Sequence, residues 1–118
     1  MADKQIVQTF FEVFNNRDLA KMANLLHADA EFFFPKTQPL IGKERILKFL
    51  GILFRQYPQL SFTIQRVIQQ GERAAVHWTN QGFNRRKEAY QNEGVTILEF
   101  QNAKINYISD FFKNTELF

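Results

Sequence analysis

Along residues 4–15, Ile6, Val7, Phe10, Phe11 and Phe14 recur at helical spacing, which predicts an amphipathic helix. Asn15-Asn16-Arg17 interrupts it. Asp18 is a plausible N-cap for a second, short helix that turns Leu19, Met22, Ala23, Leu25 and Leu26 inward. A short strand, Ala30–Phe34, follows and is closed by Pro35, and Pro39 and Gly42 mark a loop. A third helix is predicted from Lys43 to Gln56, with Ile46, Leu47, Phe49, Leu50, Leu53 and Phe54 on one stripe and Pro58 as its stop. Beyond it the pattern changes to strand character: Leu60–Ile68, Arg73–Gln81, Glu88–Gln101 and Lys104–Phe112. Gln70-Gly71 and Gln101-Asn102-Ala103 are tight turns, Gly82–Lys87 is a longer loop, and the adjacent Val67 and Ile68 suggest a bulge.

Three helices followed by long antiparallel strands predict an α+β fold over residues 1–118 as one domain. A sheet curved over the helices would form a cone whose concave residues line core or pocket. Residue alternation does not say which face of strand 73–81 is concave. Ala75, His77 and Thr79 share one face, Val76, Trp78 and Asn80 the other, and both are mixed.

Composition sharpens this picture. The chain has fourteen Phe, three Tyr and one Trp, enough rings to fill a core or wall a pocket for a flat apolar ligand. No cysteine is present, which excludes disulfides, thiol catalysis and thiolate metal sites. The two histidines, His27 and His77, fit no metal-ligand spacing, and no phosphate-cradling glycine loop occurs, so neither metal nor cofactor is expected. The net charge is +3, but the cations are scattered. The one dense run, Arg85-Arg86-Lys87, falls in the predicted loop, so nucleic acid is not an expected partner. No apolar stretch approaches a membrane span, and a cytoplasmic setting is the default expectation.

The sharpest chemical candidate is Asp110, set among Tyr107, Ile108, Phe111 and Phe112. An apolar setting favours the neutral carboxyl and raises its pKa toward the range useful for proton transfer. If His77 faces inward on a neighbouring strand, the two form a workable acid/base pair. His27 ends the second helix, where a histidine can meet the helix dipole without any functional role. Trp78 and Val76 are assigned to the outer sheet face as a dimer contact.

Two segments carry a resemblance. FFEVFNNRDLAKMANLLHADAEFFFP (Phe10–Pro35) and YQNEGVTILEFQNAKINYISDFF (Tyr90–Phe112) resemble the opening and ending of the SnoaL-like branch of the nuclear transport factor 2-like superfamily. The resemblance implies a cystatin-like cone. Three N-terminal helices would pack on a strongly curved antiparallel sheet around one pocket, and homodimers would form through the outer sheet face. Members include ketosteroid isomerases, polyketide cyclases, limonene-type epoxide hydrolases and non-catalytic binders. The isomerase Tyr, base Asp and protonated Asp fall on Phe10, Phe34 and Thr96, so classical ketosteroid isomerisation is not expected. The epoxide hydrolase Arg-Asp pair and last-strand Asp fall on His77, Thr79 and Asp110, so only the last acid is kept. In the cyclases Asp110 is the acid/base position, with His77 the available partner. Ala103 stands where the family has a turn glycine.

Three functional expectations stay open: an acid/base enzyme using Asp110 and His77, a non-catalytic binder of a small apolar molecule, and a dimeric module whose cone its own rings fill. Phe10, Phe14, Phe32, Phe34, Phe49, Leu50, Phe54, Thr79, Thr96, Ile108 and Phe112 are the candidate ligand-binding residues.

Overall fold

The computed structural model describes residues 2–115. Helix α1 spans Ala2–Asn16 and α2 spans Leu19–Leu25. Strand β1 (Leu26–Phe33) leads to a two-residue strand β2 (Leu40–Ile41) and to α3 (Lys43–Gln56). The long strands β3 (Gln59–Gln70), β4 (Arg73–Phe83), β5 (Ala89–Gln101) and β6 (Lys104–Phe112) complete the chain.

The helices form where the sequence pattern places them. Ile6, Val7, Phe10, Phe11, Val13 and Phe14 of α1 are all buried, because the 3.6-residue period brings them to one side. Arg17 ends α1 in the left-handed region at φ 59°, and the Asp18 carboxylate caps α2 by accepting from the Lys21 amide at 3.1 Å. Ile46 and Leu50 anchor α3 against the sheet. His27 lies on β1 rather than at a helix end, and its Nδ1 accepts from the Asp29 amide at 3.2 Å. Leu26 already adopts extended dihedrals, so α2 stops one residue sooner than the apolar spacing suggests.

The sheet is six-stranded in the order β2-β1-β6-β5-β4-β3, an α+β arrangement with three helices packed on it. It is mixed rather than wholly antiparallel: β1 pairs with β6 in parallel, Phe32 opposite Ile108. β2, unforeseen in the sequence, pairs with β1 at one edge. β3 forms the other edge, so the strands stay open and do not close a barrel, and several separate hollows replace the single enclosed pocket that was expected. Asn15 guards the β3 edge. Its side chain donates to the Phe62 carbonyl at 3.1 Å and accepts from the Phe62 amide at 2.7 Å, satisfying backbone groups that would otherwise be open to another chain.

The bulge in β3 falls at Ile64/Arg66, slightly before the Val67-Ile68 pair. That pair carries no packing signal because Val67 and Ile68 project past the core and are largely exposed. In the β5–β6 hairpin, Asn102 and Ala103 both have positive φ, 53° and 63°. This is the backbone that the missing glycine would adopt without steric cost.

Candidate active site

The inner face of the sheet is set by alternation on β4 and β5 and by cross-strand register on β6, whose pairing with β5 shifts at Glu99/Phe100. On β4, Ala74, Val76, Trp78 and Asn80 are buried, on β5 Thr96, Leu98 and Phe100, and on β6 Ile105 and Ile108. Cross-strand register then places Trp78 opposite Gly94 and Thr96 opposite Asp110. Gly94 is required by that packing. A Cβ there would meet the Phe111 carbonyl at 2.5 Å and the Trp78 ring at 2.7 Å, so only glycine lets the indole lie against β5.

The indole is held on its other sides by Phe62 and Phe112, edge-on at centroid distances of 5.0 and 5.2 Å. Its Nε1–H donates to the Thr96 hydroxyl at 2.8 Å, and that hydroxyl donates to Asp110 Oδ1 at 2.6 Å. The result is a directed chain, Trp78 to Thr96 to Asp110, that orients the carboxyl group. By whole-residue area Asp110 is only half-buried, but its carboxyl group is enclosed. Burial pushes its pKa up to about 7, against the Thr96 hydrogen bond, which favours the ionised form. One hydrogen bond does not replace the hydration shell of a charge, so desolvation wins.

Asp110 opens into a cavity lined by Phe10, Phe11, Phe14, Phe34, Phe62 and Phe112 together with Leu53, Tyr57, Leu60, Asn80, Tyr90 and Thr96. Its volume is about 30 Å³, room for roughly two water molecules. Two further polar groups face it. Tyr90 is buried, accepts from Asn92 Nδ2 at 3.2 Å, and has its hydroxyl pKa pushed up to about 12 chiefly by burial. The Asn80 amide oxygen is buried with no hydrogen-bond partner, the kind of atom that a water or ligand donor satisfies.

The expected site residues divide into four groups. Phe10, Phe14, Phe34, Thr96, Asp110 and Phe112 meet at this cavity. Phe54 lines a smaller crevice of about 10 Å³ beside it, with Arg17 and Tyr57. Phe32, Leu50 and Ile108 are buried in the core behind it, with Phe49 packed against them, and none reaches the cavity. Thr79 and His77 lie on the opposite side of the sheet.

His77 therefore does not meet Asp110. Its position on β4 is one residue from Trp78, and alternation turns it to the outer face. There its Nε2 lies 2.6 Å from Glu93 Oε2, while Lys113 Nζ lies 3.3 Å from Glu93 Oε1. The His77 hydrogen bond first, then Lys113, hold the Glu93 carboxyl below the usual range. Trp78 and Val76, expected on the outer face, are fully inside. Sequence reasoning missed Phe11, Leu53, Tyr57, Leu60, Phe62, Asn80 and Tyr90 as cavity residues. For Asn80 the signal is cross-strand: the pairing of Trp78 with Gly94 puts the row Ala74, Val76, Trp78 inside. Once that row is inside, Asn80 follows it. Among the described residues no cluster of three or more His, Asp or Glu is placed to hold a metal ion, and no helix is long and apolar enough to cross a membrane.

Outside the cavity, an open groove of about 640 Å³ runs between the end of α1 and strands β3, β4 and β5. Leu60 and Tyr90 line both hollows and so form the partition between them. Tyr57 packs on Tyr90 with the rings tilted at 56° and their centroids 5.0 Å apart, and reinforces it.

The sequence profile of the SnoaL-like domain matches residues 7–108. No curated protein matches the chain significantly. Among solved structures, an NTF2-like protein of unknown function from Burkholderia pseudomallei superposes with a TM-score of 0.90 at 19% identity, covering 99% of this chain and 95% of that one. A candidate SnoaL-like polyketide cyclase from Jannaschia sp. gives 0.86 at 15% identity, covering 95% and 85%. A candidate ketosteroid isomerase from Kribbella flavida gives 0.77 at 21% identity, covering 97% and 79%. Identities this low establish a shared fold and nothing finer.

Proposed function

From the premise that this chain belongs to the SnoaL-like domain family, we propose that it binds a small, mainly apolar molecule at the phenylalanine-lined cavity and moves a proton on it with Asp110. The family suggests small-molecule binding or isomerase- and cyclase-type chemistry. The observation that carries the finer reading is Asp110 itself: an oriented carboxyl, enclosed by aromatic walls, with a pKa brought to about 7. Such a group is divided between acid and base forms at neutral pH, the condition for general acid/base catalysis. Asp110 acts alone in this scheme. Thr96 orients it and Trp78 orients Thr96, while His77 takes no part.

The carbon acid would have to come within hydrogen-bond reach of the free Asp110 oxygen. The cavity admits only about two waters in its present shape, so a ring enters by displacing the Tyr57–Leu60–Tyr90 partition toward the open groove. The test is a proton-exchange assay. Small cyclic ketones in deuterated buffer should exchange α-protons faster with the protein than without it, with a rate rising through pH 7. Asp110→Asn should reduce that gain by at least about a hundredfold, the usual scale for losing a general base. Equal exchange by both proteins would sink the reading.

The small volume favours a second reading, in which the rings simply fill the interior and the fold serves as a dimeric module. The residues that do alternate outward, Val95 and Ile97 on β5 and Phe111 on β6, the last 59% exposed, offer an apolar patch for the outer-face homodimer. Sedimentation should show a dimer at micromolar concentration that Phe111→Asp converts to monomer. A monomeric parent protein removes this reading.

A further inference from the structure

The basic run Arg85-Arg86-Lys87 was left without a role by its sequence context, and the open groove beside the cavity gives it one. We infer that this groove is a binding site for the anionic part of the ligand whose apolar part the inner cavity receives. The inference rests on the ligand-binding half of the function proposed above and is independent of whether Asp110 is catalytic.

Four observations converge. First, Arg17 lines both the groove and the crevice beside the cavity, and the groove continues past Phe83 into a second depression that carries Arg85 and Lys87. Among the described residues no Asp or Glu lines either depression. The remaining wall is amide, hydroxyl and apolar, so the charged groups lining it are cations.

Second, none of these three cations has a carboxylate within ion-pair distance among the described residues. Arg17 is half-buried. Its Nη1 donates to the Phe54 carbonyl at 3.2 Å and the guanidinium sits 5.5 Å over the Phe54 ring, which leaves the rest of the fork unused by acids. Burial pushes its pKa down. A bound carboxylate or phosphate would supply the missing counter-charge, and the planar fork suits either.

Third, the loop is built rather than loose. Asn84 Oδ1 accepts from the Arg86 and Glu88 amides at 2.9 and 3.0 Å, and Asn84 Nδ2 donates to the Glu88 carboxylate at 2.8 Å. The Arg85 amide donates to the Gln56 carbonyl at 2.9 Å, which ties the loop to the end of α3. Glu88, the one acid in this loop, is thus engaged at its base. Lys87 is turned by a left-handed φ of 65°.

Fourth, Phe83 remains 45% exposed on the floor shared by the two depressions. A ligand with an aromatic or alkyl stem between its anionic end and the cavity would cover that ring.

The test measures affinities of three naphthalene probes by calorimetry at low ionic strength: 2-naphthoate, 1-naphthyl phosphate and neutral 2-naphthalenemethanol. At least one anion should bind about tenfold tighter than the alcohol, and added salt should erase the difference. Preference for naphthoate identifies a carboxylate ligand, and preference for the phosphate identifies a phosphate ester. The variant Arg85→Gln/Lys87→Gln changes only exposed side chains and should weaken the preferred anion about fivefold, the scale of two exposed ion pairs, without touching the alcohol. Arg17→Gln should weaken it further. The inference is overturned if the alcohol binds as tightly as both anions, if no probe binds, or if the double variant leaves anion affinity unchanged. Asp110→Asn should leave the anion preference intact. An Asp110 that proves catalytically idle would remove the proposed chemistry and leave this groove standing.

Discussion

The two faces of the same three strands treat a carboxylate in opposite ways. Inside, Asp110 receives one hydrogen bond from a neutral hydroxyl and is enclosed by rings, and its pKa climbs to about 7. Outside, Glu93 is shared by His77 and Lys113 in contact with solvent, and its pKa falls below the usual carboxylate range. Both acids are hydrogen-bonded, so hydrogen bonding alone does not decide the outcome. What differs is hydration and the charge of the partner. The inner carboxyl gives up water and gains no cation, whereas the outer one keeps water and gains one. A proton-transfer group at neutral pH therefore belongs to the inner face.

The largest test of this contrast removes the scaffold of the inner face. Trp78→Ala would delete the fully buried indole that packs on Phe62, Phe112 and Gly94 and donates to Thr96. Urea unfolding should show a loss of about 3–5 kcal/mol, the usual cost of truncating a buried aromatic. His77→Ala, one residue away but facing out, should cost well under half of that. Equal losses would mean that the strand does not separate two environments.

Next in size is the charge of Asp110. Its folded-state pKa lies above its unfolded value, so the unfolded chain releases the proton first as pH rises. Stability should thus be undiminished below about pH 4, fall between about pH 4 and 7, and stay low above that. Asp110→Asn should remove the decline. At pH 8 it should stabilise the protein by roughly 2–3 kcal/mol, less than the full linkage value because part of the residue meets solvent. At pH 4 the two proteins should be close. Guanidinium unfolding at both values measures it, and a variant no more stable at pH 8 would mean that the carboxyl is not desolvated.

How far the sequence discloses this contrast depends on the element. The helices are legible because Ile6, Phe10 and Phe14 or Ile46 and Leu50 repeat on one side only, and burial follows that side. The family resemblance in Phe10–Pro35 and Tyr90–Phe112 agrees with the SnoaL-like match. The faces of β4 are not legible in isolation, since Ala75-His77-Thr79 and Val76-Trp78-Asn80 are equally mixed. Only the pairing of Trp78 with Gly94 and Thr96 with Asp110 decides them, and that register is a property of three strands together. The parallel pairing of Phe32 with Ile108 joins strands at opposite ends of the chain, beyond the reach of local periodicity. Asp110 is legible as an acid in an aromatic setting. Its partner is not, because a histidine attracts attention that a threonine does not.

The smallest effect comes from the outer acid and sharpens the contrast by its sign. Glu93 has a lowered folded-state pKa, so its stabilising contribution is present above the unfolded value and disappears as pH falls through the folded one. Glu93→Gln should therefore flatten only the acid limb of the stability profile, below about pH 4.5, whereas the Asp110 effect develops above about pH 4. Above neutrality the variant should sit slightly below the parent by a constant amount. Because the pair is open to water, added salt should shrink that gap, whereas the gap produced by Asp110→Asn should resist salt. Two carboxylates on opposite faces would then be separable by two independent handles, the pH at which each acts and its response to ionic strength. A salt-insensitive gap for Glu93→Gln would instead indicate that the outer cluster is covered in solution, as it would be if a second copy of the chain packed over Phe111 and its neighbours.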